Sequence, residues 1–140
     1  MNVLPFDPEH VRAMVVQERQ IAVVSHVTPE YLAALKQAGP AVTVEADGEP
    51  ICCGGVATTG FGMGMLWAFV SAQAAHRLVR IDRVARRLLE VADLRRIEAT
   101  TEQDFRQGCR WLELLGFQSE GIMRKYGPDG SDHVRYALVR

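Results

Sequence analysis

The segment Met65-Leu66-Trp67-Ala68-Phe69-Val70, followed after Ser71-Ala72-Gln73 by Ala74–Asp93, decides the fold. The first part is an uncharged run of strand length. Met65, Trp67 and Phe69, with Met63 before them, alternate onto one face, the pattern of core or of a lined cleft. The second part has the strongest helical period in the chain. Leu78, Ile81, Val84, Ala85, Leu88, Leu89 and Ala92 recur at spacings of three and four, so one face of a long helix is buried. A strand leading into a long amphipathic helix, with hairpin signals to either side, predicts helices packed on a mixed sheet.

Upstream, Ile51 to His76 carries no charged side chain over 26 residues. A membrane-spanning helix needs about 20 apolar residues, but Gly54, Gly55, Gly60, Gly62, Gly64 and Thr58-Thr59 break this stretch. It reads instead as two buried strands, Ile51–Ala57 and Met65–Val70, joined by a turn at Gly60-Phe61-Gly62. Ala41–Ala46 is a further strand, turned at Asp47-Gly48. Thr28-Pro29-Glu30 is a helix start, with Thr as N-cap and Pro in the first turn. That helix runs through Tyr31, Leu32, Leu35 and Ala38 to a stop at Gly39-Pro40. An earlier helix is expected from Pro8 to about Arg19, and Ile21–Val24 is a strand or a continued helix.

Downstream, Arg96–Thr101 is a strand and Asp104–Leu115 a helix on Phe105, Cys109, Leu112 and Leu115, closed by Gly116. Phe117–Tyr126 and Val134–Val139 form a terminal hairpin around Gly127-Pro128-Asp129-Gly130, with His133 exposed on it. No repeat or linker interrupts the pattern, so one α+β domain over residues 1–140 is expected.

Composition agrees with that class. The 140 residues are 48% hydrophobic and 24% charged, too apolar for a disordered chain. Sixteen basic residues oppose 17 acidic ones, and no basic tail or aromatic-interleaved basic patch occurs, so nucleic acid is not an expected partner. The balance is uneven along the chain. Residues 1–50 hold seven acids and three bases, whereas residues 77–110 hold nine Arg and six acids. The N-terminus has no basic flank or apolar run of a signal peptide. The three cysteines cannot complete a disulfide framework, and a reducing, cytoplasmic compartment is expected. Cys52 and Cys53 fall on opposite faces of their strand and no C-x-x-C spacing exists, so they and Cys109 read as small buried side chains, with no metal site.

The order helix–helix–β–β–β–helix–β–helix–β–β resembles that of the GNAT superfamily, the acetyl-CoA-dependent N-acyltransferases. Arg80-Ile81-Asp82-Arg83-Val84-Ala85 stands where the family has Q/R-x-x-G-x-G/A, with Arg83 at its central Gly. Phe105–Phe117, ending Trp111-Leu112-Glu113-Leu114-Leu115-Gly116-Phe117, resembles the family's N-x-x-A-x-x-L-Y-x-x-L-G-F run. The resemblance implies a GNAT-like mixed central sheet of about six or seven strands flanked by about four helices. It also implies acetyl-CoA as cosubstrate, with transfer to a small or protein amine. Pantetheine would lie along the polar backbone of Phe69, Val70 and Ser71. Arg80, Arg83, Ala85 and the start of the long helix would meet the phosphates, which suit the unsatisfied N–H groups and positive dipole of a helix N-terminus.

The catalytic positions depart from the family. Its acidic Tyr falls on Leu112, which has no proton to give, and Ile51–His76 supplies no carboxylate as base. Glu98, His76 and His26 are then the distant proton acceptors, through ordered water. A narrower resemblance points to a second function. Small GNAT-like proteins of tailed bacteriophages and prophages have a similar R-W-L-x-x-L-G-F ending and an Arg-rich helix led by His-Arg, here His76-Arg77. That likeness implies a catalytically inert structural or interaction protein, partnered by virion or host proteins. Arg77, Arg80, Arg83 and Arg87 share a helical face, which is either a phosphate clamp or a solvated face balanced by Asp82, Glu90 and Asp93.

Overall fold

A computed structural model describes residues 2–140, without the side chains of Ala22, Ala75 and His76. Seven strands form one sheet: β1 (Asn2–Pro5), β2 (Ala41–Ala46), β3 (Glu49–Gly60), β4 (Met63–Val70), β5 (Arg96–Glu102), β6 (Gln118–Met123) and β7 (His133–Val139). Their order is β1-β2-β3-β4-β5-β7-β6. Every neighbouring pair is antiparallel except β4 and β5. Four helices of more than one turn flank the sheet: α1 (Pro8–Ala13), α3 (Pro29–Ala38), α4 (Leu78–Ala92) and α5 (Arg106–Leu114). A single turn, α2, spans Ile21–Val24. No helix among the described residues is long and apolar enough to cross a membrane.

The helices divide between the two faces as their periods require. Ala85, Leu88 and Leu89 of α4 and Leu112 of α5 pack on Val56, Leu66, Ile97 and Ala99 of the sheet. On the opposite face, Val11 of α1 and Leu32 and Leu35 of α3 close over Cys53 and Phe69. Strand alternation thus sends Cys52 to the α4 side and Cys53 to the α1–α3 side. The local signals act as expected at α3, where the Thr28 hydroxyl accepts from the Tyr31 N–H at 3.1 Å. They act again after α5, where Gly116 sits at φ +100° and the Phe117 N–H returns to the Leu112 carbonyl at 3.0 Å.

The largest departures from the sequence reading lie at the N-terminus and around β3 and β4, while β6 ends at Met123 rather than Tyr126. The strand β1 has a mostly exposed pattern, so no alternation betrays it. The helix expected to reach Arg19 stops at Ala13, because Val16 bridges to Ser71 and the Gln17 N–H bonds the Val70 carbonyl at 2.8 Å. Residues 72–77 form a 3₁₀ turn ahead of α4 rather than its first turns. The strand β3 extends over 12 residues, beyond Ile51–Ala57 at both ends.

Two features outside the apolar core hold the sheet together. The chain reversal at Gly39-Pro40 lies against β3, where the Val56 N–H bonds the Pro40 carbonyl at 3.0 Å. A Cβ on Gly55 would stand 2.6 Å from that carbonyl oxygen and 2.8 Å from the Ala41 Cβ. On the outer strands, Arg96 reaches Glu98 at 2.8 Å and Glu120 at 3.0 Å, and Arg135 reaches Glu98 at 2.7 Å. These pairs tie β5, β7 and β6 together. The Arg96 guanidinium holds the Glu120 carboxyl below the usual carboxylate range.

Gly55→Ala is expected to cost about 1–3 kcal/mol through overpacking, read as a lower urea midpoint with an unchanged slope. Glu120 is depressed in the folded state, so its pair stabilises the fold above the unfolded carboxylate pKa. That contribution is lost as pH falls through the folded value. Urea titrations of the parent and Glu120→Gln should therefore differ at pH 7 and converge in acid, and a gap independent of pH contradicts the assignment.

Candidate functional site

The strands β4 and β5 pair only over Met63–Met65 against Arg96–Glu98. Beyond Met65 they part, and a cavity of about 580 Å³ opens between them. Leu66–Val70 of β4 form one wall and Ala99–Thr101 of β5 the other. Phe105, Gly108, Trp111 and Leu112 close it on the α5 side. The segment from Gln17 to Tyr31 and the β6–β7 loop at Tyr126–Pro128 complete the enclosure. Parallel strands that separate leave backbone groups without their ladder partners, and such groups must be satisfied by something else.

The alternation of β4 decides which groups these are. The Ser71 N–H bonds the Ile51 carbonyl of β3 at 2.8 Å, so Ser71 and, two residues earlier, Phe69 direct their backbone groups to β3. Ala68 and Val70 face the parted side. The Ala68 carbonyl accepts from Gln20 Nε2 at 2.7 Å, and the Val70 N–H donates to Gln20 Oε1 at 2.6 Å. Of the three residues expected to hold pantetheine, Val70 therefore presents its backbone to the cavity. The Phe69 side chain is in the core, and Ser71 is buried and accepts from the Gln73 N–H at 3.1 Å. Ala68, Gln20 and Gln17 went unread, because their meeting joins segments some 50 residues apart in the chain.

The cavity wall is rich in aromatic rings, and its described lining includes no Asp, Glu, Lys or Arg. Trp67 packs between Phe6 and Phe69 at centroid distances of 5.0 and 5.8 Å, and its indole Nε1 is buried with no hydrogen-bond partner. His26 is exposed at the cavity mouth, with Nδ1 3.3 Å from the Ser25 hydroxyl. His133 is the correction among the histidines: it is not exposed, but 8% accessible. The Tyr126 ring lies tilted against it at a centroid distance of 5.4 Å and Gly127 passes beside it, so the loop covers the ring. Its Nδ1 is buried without a hydrogen-bond partner, and the residue lines the cavity.

The other expected proton acceptors are placed differently. Glu98 is committed to Arg96 and Arg135 and does not line the cavity. The His76 side chain lies outside the described residues. Leu112 is buried and lines the cavity. Tyr136 donates to Glu113 at 3.3 Å, and burial pushes its phenol well above the ordinary tyrosine value. All three cysteines are free. Burial pushes Cys52 up to about 12 and Cys53 to about 11, so both are protonated thiols rather than nucleophiles at neutral pH.

The arginines of α4 are exposed on its outer face. Arg80 and Arg83 occupy its first two turns. Ala85 lies further in, buried in the core against the sheet. Arg77 pairs with Asp47 at 3.6 Å, Arg87 with Glu90 at 3.1 Å and Asp82 with Arg86 at 2.8 Å.

No protein-family model matches the chain, and no curated protein matches it. Solved structures do. Ard1 from Thermoplasma volcanium superposes with a TM-score of 0.78 at 14% identity, over 99% of this chain and 96% of that one. A spermidine N-acetyltransferase from Vibrio cholerae gives 0.68 at 11% identity, over 99% and 95%. The ribosomal-protein-S18-alanine N-acetyltransferase from Escherichia coli gives 0.66 at 13% identity, over 99% and 92%. The mixed seven-stranded sheet with α4 and α5 on one face and α1 and α3 on the other is thus the fold of the GNAT acetyltransferases.

Proposed function

We propose that the chain is an N-acyltransferase that moves an acetyl group from acetyl-CoA to a primary amine. One observation carries this reading: the parallel pair β4–β5 separates after three residues around a cavity lined by backbone edge, aromatic rings and a buried histidine. A slot of that kind takes an extended amide chain, since Ala68 and Val70 offer one acceptor and one donor on the same edge. Arg80 and Arg83 stand on the first two turns of α4, at the positive end of its dipole. Together they suit the phosphates of coenzyme A. Ala85 serves by seating that helix on the sheet. Acetyl-CoA supplies the activated acyl group as a thioester.

In the transfer, the amine lone pair forms the new C–N bond at the thioester carbonyl carbon and the C–S bond breaks. The sulfur departs with the electron pair and takes up a proton, while the nitrogen loses one. His133 is our choice for the group that accepts the nitrogen's proton, being the buried imidazole of the cavity wall. The acceptor is a small or protein amine, the range spanned by the names of the spermidine and ribosomal-protein enzymes above. Three free cysteines suit a reducing compartment such as the cytoplasm.

Calorimetric titration with acetyl-CoA tests the reading. Binding is expected, and Arg80→Ala should weaken it roughly tenfold, the worth of one charged hydrogen bond. Absence of binding at millimolar ligand overturns the proposal and leaves the inert structural or interaction module, including a phage-particle component. His133→Gln should lower kcat by roughly 10²–10⁴, with acetyl-CoA affinity unchanged. An unaltered kcat removes His133 from the mechanism.

A further inference from the structure

Gln20 makes an unusual pair of contacts. Its side chain accepts from the Val70 N–H at 2.6 Å and donates to the Ala68 carbonyl at 2.7 Å. In a parallel ladder, one residue of the neighbouring strand accepts from residue i+1 and donates to residue i−1. The carboxamide of Gln20 takes that pair of groups on β4 at the point where β5 has left. A carboxamide suits this because it carries a donor and an acceptor on adjacent atoms. It caps the edge as a peptide group would.

We propose that Gln20 is a latch on the cofactor edge: its carboxamide and a pantetheine amide compete for Ala68 O and Val70 N–H, so acyl-CoA seats only when Gln20 swings away. The proposal rests on the acyl-CoA reading of the cavity and adds a regulation of that site. The latch is a side chain, so release needs torsional change in Gln20 alone. The main chain stays anchored through the Gln17 N–H on the Val70 carbonyl and the Ala72 N–H on the Val15 carbonyl, at 2.8 and 3.1 Å. Closed, the latch satisfies two polar groups that would otherwise line an aromatic cavity unpaired, a state that folded chains avoid. Open, those groups pass to the ligand. The exchange is one set of hydrogen bonds for another, so the latch lowers affinity without abolishing it.

Titration of Gln20→Ala and the parent with coenzyme A, and separately with adenosine 3′,5′-bisphosphate, tests the latch. Coenzyme A carries the amide chain and the bisphosphate does not. Gln20→Ala should bind coenzyme A roughly tenfold more tightly, the worth of two net hydrogen bonds, with bisphosphate affinity unchanged. In the parent, the side-chain amide NMR signals of Gln20 should shift on saturation with coenzyme A. That measurement stands even where the variant folds poorly. Equal or weaker coenzyme A binding by a folded Gln20→Ala overturns the latch, as do Gln20 amide signals unmoved at saturation. If neither protein binds either ligand, the acyl-CoA reading itself falls and takes the latch with it, whereas binding by Gln20→Ala alone supports both.

Discussion

The separation of β4 from β5 after Met65 is the constraint from which the site follows. A parallel pair held for three residues and then released cannot leave its edge bare inside an apolar enclosure, because an unpaired buried carbonyl or N–H costs the full loss of its hydration. The fold meets that demand from far away in sequence. The Gln17 backbone and the Gln20 carboxamide close the edge on one side, while α5 brings Trp111 and Leu112 to the gap between the strands. The cavity is therefore a consequence of sheet geometry, and its polar groups come from the backbone.

The same demand shapes the N-terminal segment. Pro8 to Arg19 has the composition of one helix, with the Asp7 cap, Pro in the first turn and the apolar positions Val11, Met14 and Val15. Helix propensity contributes only tenths of a kcal/mol per residue, less than a pair of hydrogen bonds on a buried strand edge. The helix accordingly ends at Ala13, and the chain pairs Val16 with Ser71 before turning through residues 18–20. Without that break, Gln20 would not stand beside Ala68. The early end of α1 and the closure of the β4 edge are two aspects of one arrangement.

What the sequence made legible is what short-range physics determines. The period of α4, the cap of α3, the stop at Gly116 and the alternation that parts Cys52 from Cys53 all follow from spacings of one to four residues. The site was legible only as a stretch of strand, because Phe69, Val70 and Ser71 look alike until the register against β3 shows which of them turns outward. His133 read as exposed for a similar reason. Its neighbours Asp129, Gly130 and Asp132 are turn-forming and polar, and the loop residues Tyr126 and Gly127 lie against its ring across the hairpin. Arg80 and Arg83 keep the exposure that their helical spacing implies, and the packing role of Ala85 follows from its place on the apolar face.

The absence of carboxylates from residues 51–76 also takes on a different meaning once the cavity is seen. On the acyl-transfer reading, a carboxylate in the wall would hold an incoming amine as its ammonium, which has no lone pair for the thioester. Among the described lining residues there is no such group, and Glu98 is held outside the wall by Arg96 and Arg135. Desolvation in an aromatic enclosure disfavours the charged form of an amine and lowers its pKa. The amine thus sheds its first proton by moving out of water, before any side chain acts on it. On that reading, His133 is the side chain of the cavity wall placed to take the proton released on C–N bond formation. On the acyl-transfer reading, a wall without carboxylates and with one covered histidine favours the neutral amine that the thioester needs.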